Sequence, residues 1–191
     1  MSMKILEFIN TIYPLPDDIL EEVISHFQHL EYPKNYFLLK QGRPCKYLWF
    51  LLNGAVRYFY TDEDGKESNV WFSLDNDIVA DGPSFVNQIP SRESIQLLED
   101  SELYAVDYNN FQNLLQKHHS FALWYINLVE KYYVLQIEDR IADLQFLSAK
   151  QRYEKLLTQF SDISNRISLG HIASYLNITQ ETLSRIRSGK L

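Results

Sequence analysis

Residues 36–107 consist of short runs of Phe, Tyr, Trp, Val, Ile and Leu that are separated by turn residues about every ten positions. This spacing is typical of short antiparallel strands and strongly limits the folds that the chain can adopt. Six or more such strands with aromatic side chains predict a small barrel or jelly roll rather than an open sheet. A roll of this kind can hold one small molecule in its interior. We expect strands at residues 47–52, 55–61, 69–73, 78–80, 94–98 and 102–107.

Two glycine-containing turns are expected to form hairpins between these strands. Asn53-Gly54 separates the runs at 47–52 and 55–61, and Asp64-Gly65 lies between residues 60 and 69. Both dipeptides favour the left-handed backbone of a two-residue hairpin turn. The sequence therefore predicts that the strands on either side of each dipeptide pair with each other.

Apolar residues at helical spacing replace the strand pattern on both sides of this segment. Residues 17–30 predict a surface helix, and Phe111, Leu114 and Leu115 indicate a short helix after the strands. Residues 120–146 contain neither Gly nor Pro and predict one long helix. We expect its aromatic start to close the roll, with Phe121, Trp124 and Tyr125.

Four residues of the long helix, named here the seam, repeat at intervals of three, four and three; they are Val134, Ile137, Ile141 and Leu144. This narrow stripe is typical of a coiled coil. We expect it to pack against the same helix of a second subunit, which makes the protein a homodimer. An intramolecular helix bundle is the alternative, although the sequence offers few other helices to form one.

Residues 167–191 predict two short helices joined by a tight turn. Asn177 tolerates the left-handed backbone that ends a helix, and Thr179 is a favourable N-cap for the second helix. Gln can bond adenine, Glu can accept from cytosine, Arg can bond guanine with two donors, and hydroxyl groups can bond phosphates. We therefore expect the outward residues to bind double-stranded DNA; they are Thr179, Gln180, Glu181, Thr182, Ser184, Arg185 and Arg187.

The charge of the chain is distributed in a way that supports this function. Residues 1–139 carry 10 basic and 21 acidic side chains, a balance of −11, whereas residues 140–191 carry 8 and 4, a balance of +4. An acidic body repels phosphate and leaves the C-terminal part to approach DNA. Two alternatives remain, a helix pair with a solvated polar face and a module that binds a protein partner. Loss of Arg185 and Arg187 should weaken a DNA complex and change a mostly apolar protein interface little.

Several other functions have little support in the sequence. Cys45 is the single cysteine, so iron–sulfur and thiolate zinc sites are excluded, and we expect it to be a buried small residue. Residues 36–107 contain no His, whereas a metal-dependent jelly-roll enzyme needs several, so we expect neither an enzyme nor a metal site. Haem ligation by His26, His118 or His119 has no support. Without an apolar run of about 18 residues or a signal peptide, we expect a cytoplasmic protein with no membrane contact.

The order of these parts resembles the Crp/Fnr family of bacterial transcription regulators over nearly the whole chain. The resemblance is carried by QG…YLWFLLNGAVRYFYTDEDGKE, which includes Gly42 and Gly54, by a short helix at 149–160, and by HIASYLNITQETLSRIR. It implies an α+β fold with three parts. These are an antiparallel β-roll for effector sensing, similar to cyclic-nucleotide-binding domains, at 1–115; a long connecting and dimerisation helix at 116–147; and a helix-turn-helix DNA-binding domain at 148–191.

The resemblance also implies partners and residue roles. A homodimer would bind a palindromic DNA site, with RNA polymerase and an unknown small-molecule effector as further partners. Gln180, Glu181 and Arg185 would contact bases, and Thr179 and Thr182 would contact phosphate. Family members usually continue into a β-hairpin wing, whereas the last predicted helix here is followed by a few residues up to Leu191, so we expect a helix-turn-helix without a full wing.

The effector site departs from the family pattern. Family members that bind cyclic AMP use a Gly-Glu-Leu turn and an Arg followed by small residues, whereas this chain has Ala80-Asp81-Gly82-Pro83 and an arginine, Arg92, that is followed by Glu93. A glutamate at that place opposes an anion. We therefore assign no cofactor, because the roll has only half of the residues with which family members bind a cyclic nucleotide. An effector in the roll is expected to contact Asp81, Gly82, Ser84, Arg92 and Ser94.

Overall fold

The computed structural model describes residues 3–190, apart from the side chains at 3 and 132. The predicted ranges that include residues 1, 2 and 191 therefore extend beyond the described residues. Two helices and a strand come first in the described part of the chain. The helices are α1 (Met3–Ile12), which the sequence did not predict, and α2 (Asp17–Ser25). Residues Gln28–Tyr32 form strand β1, so the predicted helix over 17–30 is wrong in its last part. This strand pairs with residues 101–105, a distant partner that local periodicity does not report.

The β-segment folds as two four-stranded antiparallel sheets, which confirms the predicted jelly roll. The first sheet has the order β1-β8-β3-β6, where β3 is Tyr47–Asn53, β6 is Asp77–Val79 and β8 is Ser101–Asp107. The second sheet has the order β2-β7-β4-β5, where β2 is Phe37–Leu39, β4 is Val56–Thr61, β5 is Glu67–Ser73 and β7 is Ser94–Leu97.

The hairpin predicted at Asn53-Gly54 is wrong, because β3 and β4 belong to different sheets. Gly54 has a φ of +142° and its N–H donates to Asp75 Oδ1 at 2.7 Å. A Cβ at Gly54 would lie 2.2 Å from the Ser101 hydroxyl oxygen. The glycine therefore allows the chain to pass from one sheet to the other at a close approach of two strands.

The second predicted hairpin is confirmed, and one helix interrupts the predicted strands. Thr61 pairs with Glu67 across a turn in which Gly65 has a φ of +78°. Helix α3 (Gly82–Asn87) lies inside the segment that was expected to be all strand. Pro83 near its start and the side chain of Asp81, which accepts from the Ser84 N–H, explain why a helix begins there.

A long helix follows the roll, as predicted, but its middle is wound differently. Helix α4 (Tyr108–Lys117) precedes it, and the long helix consists of α5 (His119–Leu128), a π-helical stretch (Val129–Val134) and α6 (Leu135–Phe146). The backbone keeps right-handed helical angles through both junctions. Its aromatic start packs into the core of the roll as expected, and the Trp124 indole N–H donates to the Ile9 carbonyl at 2.9 Å.

Four short helices complete the chain, and their core continues into the roll. They are α7 (Ala149–Gln159), α8 (Ile163–Arg166), α9 (Leu169–Tyr175) and α10 (Gln180–Arg187). Buried residues of these helices share one apolar cluster with Ala55, Phe72, Leu74 and Leu98 of the roll. The C-terminal helices are thus packed on the second sheet. Among residues 3–190, no helix is both long and apolar enough to cross a membrane.

Candidate nucleic-acid interface

Helices α9 and α10 form the predicted helix-turn-helix. Ser168 caps α9, Asn177 takes the left-handed backbone with a φ of +55°, and the Thr179 side chain caps α10 by accepting from the Thr182 N–H at 3.1 Å. The sequence predicted the turn at Asn177 and the cap at Thr179, but not the cap at Ser168. The apolar residues on the inner sides of the two helices are buried; they are Ile172, Ala173, Leu176, Leu183 and Ile186.

The predicted DNA-contacting residues share the outer side of α10. All are exposed except Thr182, which is half-buried, and they are Thr179, Gln180, Glu181, Thr182, Ser184, Arg185 and Arg187. The Arg185 guanidinium donates to Glu181 Oε1 at 2.5 Å, which holds two of them together one helical turn apart. The hydroxyl oxygens of Thr179 and Thr182 lie 2.9 Å apart. The face therefore presents amide, carboxylate, guanidinium and hydroxyl groups on one short helix.

The four seam residues are all exposed in the single chain. Val134, Ile137, Ile141 and Leu144 have exposed fractions of 44%, 40%, 51% and 43%. No residue of α6 is buried. The alternative of an intramolecular helix bundle is therefore wrong, because none of the described helices covers this stripe.

Most residues predicted to hold an effector are engaged within the roll itself. Asp81 Oδ1 accepts from the Ser84 N–H, and the Ser84 hydroxyl donates to the Ile89 carbonyl and accepts from the Cys45 N–H. The Ser94 hydroxyl accepts from the Gln41 N–H at 3.0 Å. These hydrogen bonds join the segments around residues 41–45, 81–89 and 94 to one another. Cys45 is buried among them.

The remaining predicted effector residues are Gly82 and Arg92, and a carboxylate and an aromatic ring lie close to them. Arg92 is exposed, whereas the neighbouring Glu93 is half-buried. Burial, followed by the nearby charge of Asp81, raises the pKa of Glu93 to about 7. A Cβ at Gly82 would lie 3.1 Å from the ring of Tyr133, so the long helix passes directly over this turn. Sequence reasoning identified Glu93, beside Arg92, as a group that opposes an anion, but it missed the position of Tyr133.

The carboxylate of Glu93 predicts a pH dependence of stability. Because its pKa is raised in the folded protein, the folded state binds the proton more tightly, and stability is lost as pH rises from about 4.5 to about 7. Glu93→Gln should therefore be more stable than the wild type by on the order of 2 kcal/mol at about pH 8 and equal to it at about pH 4. Urea unfolding at both pH values measures this, with Glu63→Gln on an exposed turn as the control. An equal difference at the two pH values would contradict the assignment.

Arg166 fixes the C-terminal helices to the roll. Its guanidinium donates to both oxygens of Asp75 at 2.9 Å, to the Gly54 carbonyl at 2.8 Å and to Glu99. It also contacts Asp162, the residue that precedes its own helix, at 3.4 Å. Its hydrogen bonds with Asp75 and Glu99 raise the pKa of Arg166. This cluster has no local signal in the sequence, because Gly54, Asp75 and Glu99 lie far from Arg166 along the chain.

A second polar contact joins the roll to α9. The Arg57 guanidinium donates to Glu67 at 2.6 Å and to Gln96, and it lies 3.5 Å from His171 Nδ1. The Asn69 N–H donates to the Ser174 hydroxyl at 2.9 Å. Burial and the charge of Arg57 lower the pKa of His171, so this contact favours the neutral imidazole.

Comparisons with known sequences point to transcription regulators. Residues 29–118 match the cyclic nucleotide-binding domain model. The chain is 22% identical over 183 residues to the cAMP-activated global transcriptional regulator CRP of Pasteurella multocida, covering 91% of this chain and 87% of the relative. It is 24% identical over 183 residues to the transcriptional activator protein anr of Pseudomonas aeruginosa, covering 88% and 72%. These relatives are regulators rather than enzymes.

Comparisons with solved structures establish the fold. The c-di-GMP responsive global regulator CLP of Xanthomonas campestris superposes with a TM-score of 0.71 at 18% identity, covering 91% of both chains. FixK2 of Bradyrhizobium japonicum superposes with a TM-score of 0.72 at 20% identity, covering 85% of this chain and 83% of that one.

Proposed function

We propose that this chain, which belongs to the Crp/Fnr family of transcription regulators, binds a palindromic DNA site as a homodimer, with α10 of each subunit in a major groove. The observation that carries the proposal is that α10 is amphipathic. Its inner side is fixed by buried Leu183 and Ile186, and its outer side is polar and exposed. A helix held in this way can enter a groove without rearrangement of its core.

The outer side of α10 offers direct base contacts. Arg185 can bond guanine through two donors, Gln180 can bond adenine, and Glu181 can accept from the cytosine amino group. The contact between Glu181 and Arg185 orients the guanidinium before DNA arrives. Thr179, Thr182, Ser184 and Arg187 are placed to contact phosphates, which position the helix without specifying sequence.

The seam supports the dimer. Four apolar side chains that are 40–51% exposed in the single chain are stabilised by burial against the same stripe of a second copy. Two parallel long helices would then hold the two α10 helices at a fixed separation. Half-sites one helical turn apart, about 34 Å, require such a separation.

We assign three parts to the chain on this basis, namely a β-roll effector domain (1–115), a connecting and dimerisation helix (116–147) and a DNA-binding domain (148–191). Changes in the roll can reach the DNA through the long helix, whose aromatic start lies in the core of the roll. RNA polymerase is the expected protein partner of such a regulator. A cyclic phosphate is a poor fit to the Asp81–Glu93 region, because the half-buried carboxylate of Glu93 stands beside Arg92 and opposes an anion.

In vitro selection from random duplexes tests the proposal. We expect enrichment of an inverted repeat, and we expect Arg185→Ala to weaken binding to the selected duplex by about 10- to 100-fold and to relax one base position in each half-site. Fluorescence anisotropy measures the affinity, and Lys66→Ala, an exposed change in the β4–β5 turn, is the control. No enrichment of any duplex, or an unchanged affinity of Arg185→Ala, would favour a protein partner for this helix pair instead.

A further inference from the structure

A cavity of about 400 Å³ lies where the roll, the long helix and the C-terminal helices meet. Its walls come from residues 71, 72 and 74–77, which run from β5 to the start of β6, from Gln136 of α6, and from residues 159–162 with Arg166. Small-molecule sites in proteins commonly have volumes of about 300–1,000 Å³. The residues that were predicted to hold an effector, at 81–94, do not line it.

The charge of the lining favours a cation. Of the described residues around the cavity, three are aspartates, Asp75, Asp77 and Asp162, and one is an arginine, Arg166. The Arg166 guanidinium is already bonded to Asp75, Glu99 and the Gly54 carbonyl. An anionic ligand would therefore have to compete with the partners that Arg166 already has. Asp75 and Asp162 already contact Arg166, so a cationic ligand would rely on Asp77, the remaining aspartate of the lining.

We therefore assign the cation to Asp77, which lines the cavity. It lies on β6, and the groups that stabilise its charged form are two neutral donors, the Ser73 hydroxyl and the Ile78 N–H. Burial consequently raises the pKa of Asp77 to about 6. A cationic group placed opposite it would supply the countercharge that these donors do not.

Aromatic side chains form the apolar part of the lining. Phe72 is buried, and Trp71 and Phe160 are half-buried at the cavity. Aromatic faces attract cations and cover apolar groups, so they suit a ligand that combines both. The polar ends of Gln136 and Gln159 can supply further hydrogen bonds at the rim.

We propose that this cavity binds a small organic cation, an amine or guanidine carried on an apolar body, and that this ligand is the effector of DNA binding. The effector role rests on the proposed function. A ligand here contacts the roll, the long helix and the helices before the DNA-binding pair at the same time. Its binding therefore fixes the position of the C-terminal helices relative to the dimer seam.

Calorimetry on the full chain without DNA tests the binding step. Tyramine and agmatine are the probes, and tyrosol, which has an alcohol in place of the tyramine amine, is the matched neutral compound. We expect saturable binding of at least one probe, binding of tyrosol at least tenfold weaker than that of tyramine, and at least tenfold weaker binding of the cation by Asp77→Asn. Asp64→Asn, on an exposed turn far from the cavity, should bind as the wild type does. Gln159→Glu adds a carboxylate at the exposed rim and should bind the cation several-fold more tightly.

The result that would overturn the site is equally direct. Three outcomes would each show that the cavity has no preference for cations. In the first, neither probe binds, and in the second, tyrosol binds as tightly as tyramine. In the third, Asp77→Asn and Gln159→Glu both bind the cation with wild-type affinity. Affinity for the selected duplex, measured with and without the bound probe, tests the effector role: we expect at least a fivefold change in the wild type and none in Asp77→Asn. A ligand that binds and leaves this affinity unchanged would remove that role. Failure of the proposed function can be distinguished from failure of the site and from failure of the effector role. In that case no duplex would be selected, while the calorimetric result would stand.

Discussion

Replacing Ile137 and Leu144 together by aspartate should make the protein monomeric and weaken its binding to the palindromic duplex by at least about 100-fold. The two side chains are 40% and 43% exposed in the single chain, and a dimer would bury them. Two carboxylates on each helix would then have to lose their hydration within an apolar contact, which costs several kcal/mol unless the contact opens. A monomer loses the second half-site and with it the effective concentration that couples the two contacts. Sedimentation and fluorescence anisotropy measure the two effects.

The matched control places the same charges elsewhere on the same helix. Ala142 and Phe146 are exposed apolar residues of α6 that do not belong to the seam. Ala142→Asp with Phe146→Asp should leave both the sedimentation coefficient and the affinity for the duplex close to the wild type. Dimers that persist in the seam variant, or that are lost in the control, would show that the subunits meet through another surface.

Replacing Arg166 by alanine should lower the free energy of unfolding by about 3 kcal/mol, because it removes one cation from between several acceptors. The side chain is only 16% exposed, and its loss leaves Asp75, Glu99 and the Gly54 carbonyl without their shared donor. The same contacts attach α8 to the roll, so the C-terminal helices should also exchange their amide hydrogens faster. Urea unfolding and hydrogen exchange measure these two changes.

A surface ion pair provides the comparison for Arg166. Lys155 contacts Asp143 at 2.8 Å, but its side chain is 43% exposed. Lys155→Ala should therefore change the free energy of unfolding by about 0.5 kcal/mol or less. Equal losses in the two variants would mean that the Arg166 cluster contributes no more than an exposed pair.

The parts of the fold that follow local rules were predictable from the sequence. The cap at Thr179 and the turn at Asn177 depend on neighbours within a few residues, and the structure has them where the pattern indicated. The seam is also a local pattern, since residues three and four apart share one side of a helix. The class of the roll followed from the frequency of strands and turns.

The parts that depend on distant partners were not predictable. Residues 28–30 have helical spacing but pair with β8, and the Asn53-Gly54 dipeptide joins two sheets instead of closing a hairpin. In both cases, a tertiary contact overrides a local preference. Arg166 is the clearest example in the site, because its acceptors at Gly54, Asp75 and Glu99 come from three separate turns of the roll.

The π-helical stretch at Val129–Val134 sets the rotational phase between the roll and the seam. A π-turn takes up about one residue more than an α-turn, and one residue corresponds to about 100° around an α-helix. One side of the helix packs on the roll before this stretch, and another side carries the seam after it. The winding of the stretch therefore sets the angle between these two sides. The stretch also carries Tyr133, which lies over Gly82. A change in the winding of this stretch would therefore rotate the residues that follow it about the helix axis, relative to the roll.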